Sequence, residues 1–235
     1  MADFSLIQVI AILVIPVLFA LTVHEVAHGW VALKLGDRTA QMMGRLTLNP
    51  LKHIDPIGTV VVPGFLLMTT GFMFGWAKPV PITYQNLHNP KSDMAWVALA
   101  GPMANLIMAI LWMVLMKLGI SLYQMDISFG LPLIYMSAAG VVFNLVLMAL
   151  NLLPLPPLDG GRILVSVLPG PLAWQVGRLE PYGFFILVGL IVFGILELVL
   201  GPVLGSFISL LEVTFNVPLQ NIIEQLYRIV RSANM

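Results

Sequence analysis

An uncharged, mostly apolar run from Phe4 to Val23 leads straight into His24-Glu25-Val26-Ala27-His28. The run is long enough for a membrane helix, which needs about 20 apolar residues. Ionisable side chains are costly at membrane depth and mark functional sites. The five residues fit H-E-x-x-H. At 3.6 residues per turn the two histidines share one helix face, and both imidazoles can reach a single Zn²⁺. Glu25 then lies beside the metal, placed to accept a proton from water rather than to act as a ligand. The plainer alternative is a helix end whose histidines reach the headgroup layer.

Composition agrees with a bilayer environment. Only 9% of the 235 residues are charged and 59% are hydrophobic, against roughly 25% charged in a soluble domain. Net charge is zero with no long basic run, so nucleic acid is not an expected partner. The absence of cysteine excludes disulfides, thiol catalysis and thiolate metal sites. The first apolar run lacks a basic start and a small-x-small cleavage site, so it is expected to be retained as a helix.

Hydropathy predicts spans at 5–33, 94–118, 132–153 and 183–200, with a further apolar segment at 57–75. Residues 202–217 follow the Gly201-Pro202 breaker pair and form a short span or an interfacial segment. In 218–235, Leu219, Ile222, Ile223, Leu226 and Ile229 recur at helical spacing, predicting a surface amphipathic helix. Residues 1–217 read as one domain. Two stretches, 40–50 and 75–84, carry Gly, Pro and β-branched residues that defeat a helix. They predict short membrane-associated β-strands with an edge open to another extended chain. The fold class is therefore an all-α polytopic membrane protein with short strands beside the bilayer.

A catalytic zinc needs a third protein ligand and one open position. The candidates are His53, Asp55, His88 and Asp159. Asp159 is the strongest. It follows an apolar helix and Pro154, Pro156 and Pro157, whose irregular backbone must line protein or a wet cavity rather than face lipid. The alternative for Asp159 is an N-cap of a helix over 161–168. His53 and Asp55 read as loop-ordering residues and His88 as a surface residue.

HEVAH in a membrane helix, AGPMAN (100–105) and NLLPLPPLDGG (151–161) together resemble the site-2 protease family of intramembrane zinc metalloproteases. GRLTLNPLKHIDPIGT (44–59) and GWAKPVPI (75–82) are similar to its small prokaryotic branch without PDZ or CBS domains. The resemblance implies a site-2 protease-like helical core binding one Zn²⁺ through His24, His28 and Asp159, with Glu25 as general base. It also implies that Asn151 contacts the substrate backbone near the scissile bond. Asn105 is grouped with Asn151 on the substrate side, or else belongs to a small-residue helix contact. The implied partners are a single-pass transmembrane protein substrate and the lipid bilayer. Two other readings use the same ligands: a metal transporter or metal-binding membrane protein, and an inactive protease-like scaffold.

The ligands also constrain topology. His24, His28 and Asp159 must meet at one depth, which follows if 57–75 is re-entrant and does not cross. Pro63-Gly64 and Thr69-Thr70-Gly71 offer bends. The alternative is a deep insertion of Asp159 on a returning loop. With 57–75 re-entrant, Lys34, Arg38, Arg45, Lys52, Lys78, Lys91, Arg162 and Arg178 share one face and Lys117 lies opposite. The positive-inside rule makes the basic face cytoplasmic, with the active site toward it in a prokaryotic cell membrane.

Overall fold

A computed structural model describes residues 4–61 and 77–233. The architecture is helical, and among the described residues there is no β-strand. Helix α1 (Leu6–Lys34) begins at a reciprocal cap in which the Gln8 N–H donates to Ser5 Oγ and the Ser5 N–H donates to Gln8 Oε1. A four-residue turn of helix, α2 (Thr39–Met42), follows, and the next long helix is α3 (Pro90–Gln124). The start of α3 is set by Pro90 at its first position and by Asp93, whose carboxylate accepts the Asn89 N–H at 2.7 Å. Then come α4 (Gly130–Asn151), α5 (Asp159–Val167), α6 (Gly170–Gly177), α7 (Gly183–Val192), α8 (Ile195–Phe215) and α9 (Leu219–Ala233).

α4 is the central helix. Its most apolar window is 67% buried, against 28% for α1 and for α3. α3 packs on it most extensively, antiparallel, with α1 closing the third side. The core runs through Ile12, Trp112, Met113, Met116, Val141 and Leu145. Outward faces stay apolar: Ile7, Ile10, Val14 and Phe19 on α1, and Ile107, Leu111, Val114 and Leu118 on α3, are exposed at helical spacing. Water would not solvate such stripes, whereas lipid does. Among the described residues five helical stretches, 6–34, 90–124, 130–151, 170–192 and 195–215, are long and apolar enough to cross a membrane. The protein is a multi-pass membrane protein.

The ends of the bundle can be assigned from contacts. At one end Phe4 meets Tyr135 edge-on at 5.7 Å, and the Tyr135 hydroxyl donates to Gln225 Oε1 of α9. At the other, the end of α1 meets the start of α3, and the His88 N–H donates to the Leu35 carbonyl at 2.9 Å. Leu35 and His88 therefore lie at one level of the bundle. Of the segment expected to be re-entrant, 57–75, residues through Val61 belong to a wide helical turn, Pro56–Val61. The remainder lies outside the described residues.

The strands expected at 40–50 and 75–84 are a correction. Residues 39–42 are helical, Pro50–Lys52 form a single tight turn, and 77–83 runs irregularly before another such turn at Tyr84–Asn86. Prolines 79 and 81 remove two ladder donors. Several of the remaining polar groups are met by side chains: Val80 N–H by Glu25, Thr83 N–H by Asp37, and the Lys78 and Pro79 carbonyls by Arg45; residues 75 and 76 lie outside the described residues.

Two further elements differ from the hydropathy reading. The apolar stretch 183–200 is interrupted at Gly194, whose φ of 70° a residue with a side chain rarely adopts. Helix α8 instead continues through Gly201-Pro202. The amphipathic helix α9 lays its apolar stripe, Leu219, Ile222 and Leu226, onto the bundle core. A Cβ at Gly140 would overlap the Trp112 indole where α3 and α4 cross. Gly140→Ala should separate these helices and cost about 1–3 kcal/mol, read as a lower thermal midpoint in detergent. An unchanged midpoint would contradict this packing.

Candidate metal centre

His24 and His28 occupy successive turns of α1, both buried. His28 Nδ1 lies 2.6 Å from the Val97 carbonyl, which can only accept, so this nitrogen carries the proton. His24 Nδ1 lies 2.6 Å from Asn105 Oδ1. The Asn105 amide donates to the Ala20 carbonyl and to Asn144 Oδ1, so its oxygen is the end facing His24. Each imidazole is thus held by its outer nitrogen, and each Nε2 presents a lone pair inward.

Those lone pairs meet a third donor. Asp159, buried in the first turn of α5, places Oδ2 3.2 Å from His24 Nε2 and 3.3 Å from His28 Nε2. The two Nε2 atoms are 3.0 Å apart. With both outer nitrogens protonated, three inward-facing lone pairs repel one another. Asp159 Oδ2 has no hydrogen-bond donor. A cation resolves both problems. Donors at about 2.0–2.1 Å from a tetrahedral zinc stand roughly 3.3 Å from each other, so this triangle fits one face of such a site. Among the described residues this is the one group of three able to hold a metal. Three protein donors leave the fourth position for water or substrate, the pattern of catalytic rather than structural zinc.

Local sequence explains the convergence. The peptide Pro156-Pro157 is cis, and the chain turns back so that Gly160 and Gly161 lie against the backbone of 152–156, where a Cβ would collide. Asp159 is the first residue of its helix rather than the cap of a later one. Gly101 faces both imidazoles, and a Cβ there would overlap them. In AGPMAN, Gly101 therefore makes room for the histidines and Asn105, one turn on, holds one of them.

The other expected residues separate clearly. Glu25 lies beside the triad, with Oε2 accepting the Val80 N–H at 2.7 Å. A cavity of about 820 Å³ joins His24, Glu25, His28, Asp159 and Asn151, and its wall includes Arg162 and Glu180. The Asn151 amide donates to Leu147 of its own helix. Asn105 stands behind His24, fully buried, and not on the cavity wall. His53 Nε2 bonds the Thr47 carbonyl and Asp55 caps Ile57 and Gly58, so both order the loop. His88 is exposed. Sequence reasoning passed over Asn144, although a polar residue amid the apolar α4 was itself a signal. It also passed over the Val97 carbonyl, which no residue type announces.

Asn105→Ala should leave the fold intact and weaken zinc retention about 10–100-fold, measured by chelator competition on purified protein. Unaltered competition would show that Asn105 does not orient His24.

No family model and no solved structure matches the chain. Among curated proteins, Bacillus subtilis "Putative zinc metalloprotease YwhC" is 40% identical over 196 residues, covering 83% of this chain and 86% of that one. Mycolicibacterium smegmatis "Putative zinc metalloprotease Rip2" is 30% identical over 74% of this chain and 64% of its own length. Methanocaldococcus jannaschii "Zinc metalloprotease MJ0392" is 25% identical over 67% of this chain and 34% of its own. Zinc is the metal these names specify, and it is the metal the donor triangle fits. With 40% identity sustained over most of both chains, this protein belongs to the site-2 protease family of zinc metalloproteases.

Proposed function

We propose that the protein is an intramembrane endopeptidase that hydrolyses peptide bonds within or near transmembrane segments of single-pass membrane proteins. The observation that carries this reading is the placement of His24, His28 and Asp159, with Glu25 beside them, inside an apolar helix bundle and at the wall of one cavity. His24 Nε2, His28 Nε2 and an Asp159 carboxylate oxygen would hold one zinc ion per chain. Zinc supplies Lewis acidity, which makes water nucleophilic near neutral pH and polarises a peptide carbonyl.

The chain's own residues do the rest. Glu25 takes a proton from the attacking water and delivers it to the leaving amine nitrogen. One of its oxygens is held by the Val80 N–H, which leaves the other for proton transfer. Asn151 has its amide turned back to Leu147, so its carbonyl oxygen is the group available to a substrate N–H. A helical substrate hides its peptide bonds in its own hydrogen bonds and has to unwind in the cavity before cleavage. The exposed charges of Arg162 and Glu180 on the cavity wall provide a wet route to a site otherwise enclosed by apolar helices. Lys34, Lys78, Lys91 and Arg162 flank this end of the bundle, which supports a cytoplasmic orientation in a prokaryotic cell membrane.

Purified wild-type and Glu25→Gln proteins, compared for zinc content and for cleavage of a model transmembrane substrate, test the reading. The variant should keep its zinc and lose roughly 10²–10⁴-fold in cleavage rate. Cleavage at the wild-type rate would sink the assignment of Glu25. Equal cleavage of a soluble, extended control peptide by the wild type would contradict the membrane-embedded substrate class.

A further inference from the structure

Residues 77–83 cross the site as a strap fixed on both sides of its midpoint. On one side the Lys78 N–H donates to the His53 carbonyl at 2.9 Å. The Arg45 guanidinium, 9% exposed, donates to the Lys78 carbonyl at 2.9 Å and to the Pro79 carbonyl at 3.3 Å. On the other side, Asp37 Oδ2 accepts the Thr83 N–H at 2.6 Å. The other oxygen of Asp37 accepts from the Thr39 N–H, the Thr39 hydroxyl and the Asn86 amide. Asp37 is 1% exposed and lies just beyond the end of α1. Burial alone would push its carboxyl up. The Thr39 hydroxyl, the Thr83 and Thr39 N–H groups and the Asn86 amide outweigh burial and hold it below its usual value.

Up to the second anchor the sequence is Pro79-Val80-Pro81-Ile82. Two proline rings fix φ on each side of Val80 and remove the neighbouring N–H groups. Between the two prolines the donor is the Val80 N–H, which meets Glu25. Val80 is buried, and its Cγ1 would lie 2.9 Å from a Cβ built on Gly29. The glycine lets the strap approach α1 one turn beyond Glu25. A freely rotating glutamate would present its carboxylate in many orientations, and a donor fixed on two sides selects one.

We propose that the strap is the device that orients the general base, and that Arg45 and Asp37 are positioning residues for Glu25, acting through the backbone of 77–83. The proposal rests on the assignment of Glu25 as the base. It adds that two side chains distant from the metal ligands control the reaction rate. Loss of either clamp leaves Glu25 present but poorly aimed, and small misplacements of a catalytic group can cost on the order of 10²-fold. Zinc retention and substrate affinity depend on other groups and stay.

The test uses full-length Arg45→Met, Arg45→Lys, Asp37→Asn, Val80→Pro and Val80→Ala, each measured for zinc content, kcat and KM on the model transmembrane substrate. Arg45→Met and Asp37→Asn should lower kcat roughly ten- to hundred-fold with KM and zinc content held, and Arg45→Lys should recover part of the loss. Val80→Pro, which deletes the N–H in a backbone already flanked by prolines, should lower kcat at least ten-fold further than Val80→Ala. A second readout is independent of catalysis. In hydrogen–deuterium exchange the peptide covering 77–83 should be protected in the wild type and should exchange faster in Glu25→Ala, Arg45→Met and Asp37→Asn. If Val80→Pro does not fold, the Arg45 and Asp37 variants with the exchange data decide the matter. Wild-type kcat in both clamp variants, or losses confined to KM, would overturn the proposal while leaving the protease reading intact. A wild type that cleaves nothing, with the exchange pattern as expected, would instead overturn the protease reading and keep the strap contact.

Discussion

Two imidazoles and a carboxylate, drawn from chain positions more than a hundred residues apart, have their inward lone pairs within 3.0 to 3.3 Å of one another. Without a cation that arrangement is repulsive and leaves a buried carboxylate oxygen without a donor. With one, it is a site. Much of the surrounding structure serves this convergence. α1 and α3 run antiparallel so that Val97 and Asn105 reach the outer nitrogens of the histidines. α4 runs back so that its end delivers the proline turn and Asp159 to the same depth. The tie from Leu35 to His88 sets the start of α3 at the level where α1 ends.

Polar groups inside an apolar bundle have to be satisfied internally. Here the need is met in a relay: Asn144 bonds Gly140 of its own helix and Asn105, Asn105 bonds Ala20 and His24, and His24 faces the metal position. Asn105 and Asn144 are fully buried. The relay holds His24 in one tautomer and one orientation, so its contribution is to geometry rather than to bulk stability. The same economy governs the strap: the backbone donors at 78, 80 and 83 each find a partner without a β-ladder.

The grouping of His24, His28 and Asp159 was legible in the sequence because metal-binding chemistry is carried by residue type and spacing. HEVAH needs a helix and a metal, and Asp159 stands among prolines and glycines that exclude a plain span. The expected spans 5–33, 94–118 and 132–153 overlap α1, α3 and α4, because hydropathy reports apolar helices directly, although α3 extends further at both ends. The strap did not. Pro and β-branched residues at 75–84 rule out a helix, but they do not distinguish a ladder from a backbone held by side chains. That distinction depends on Arg45, Asp37 and Glu25, which lie far away in the chain. The interruption at Gly194 was hidden for a related reason. Pro202 looks like the stronger breaker, yet α8 accommodates it, and the positive φ at Gly194 is where the backbone turns. For Asn105 a substrate-side role and a small-residue helix contact both stayed open, because sequence does not say which face of α3 meets α1.

The claim on which everything else rests is that the metal sits on His24, His28 and Asp159. Zinc K-edge X-ray absorption on the purified protein tests it most directly. The account predicts one zinc with two imidazole nitrogens and oxygen in the remaining positions, at about 2.0–2.1 Å. A spectrum without imidazole scattering, or one unchanged in His28→Ala, would contradict it.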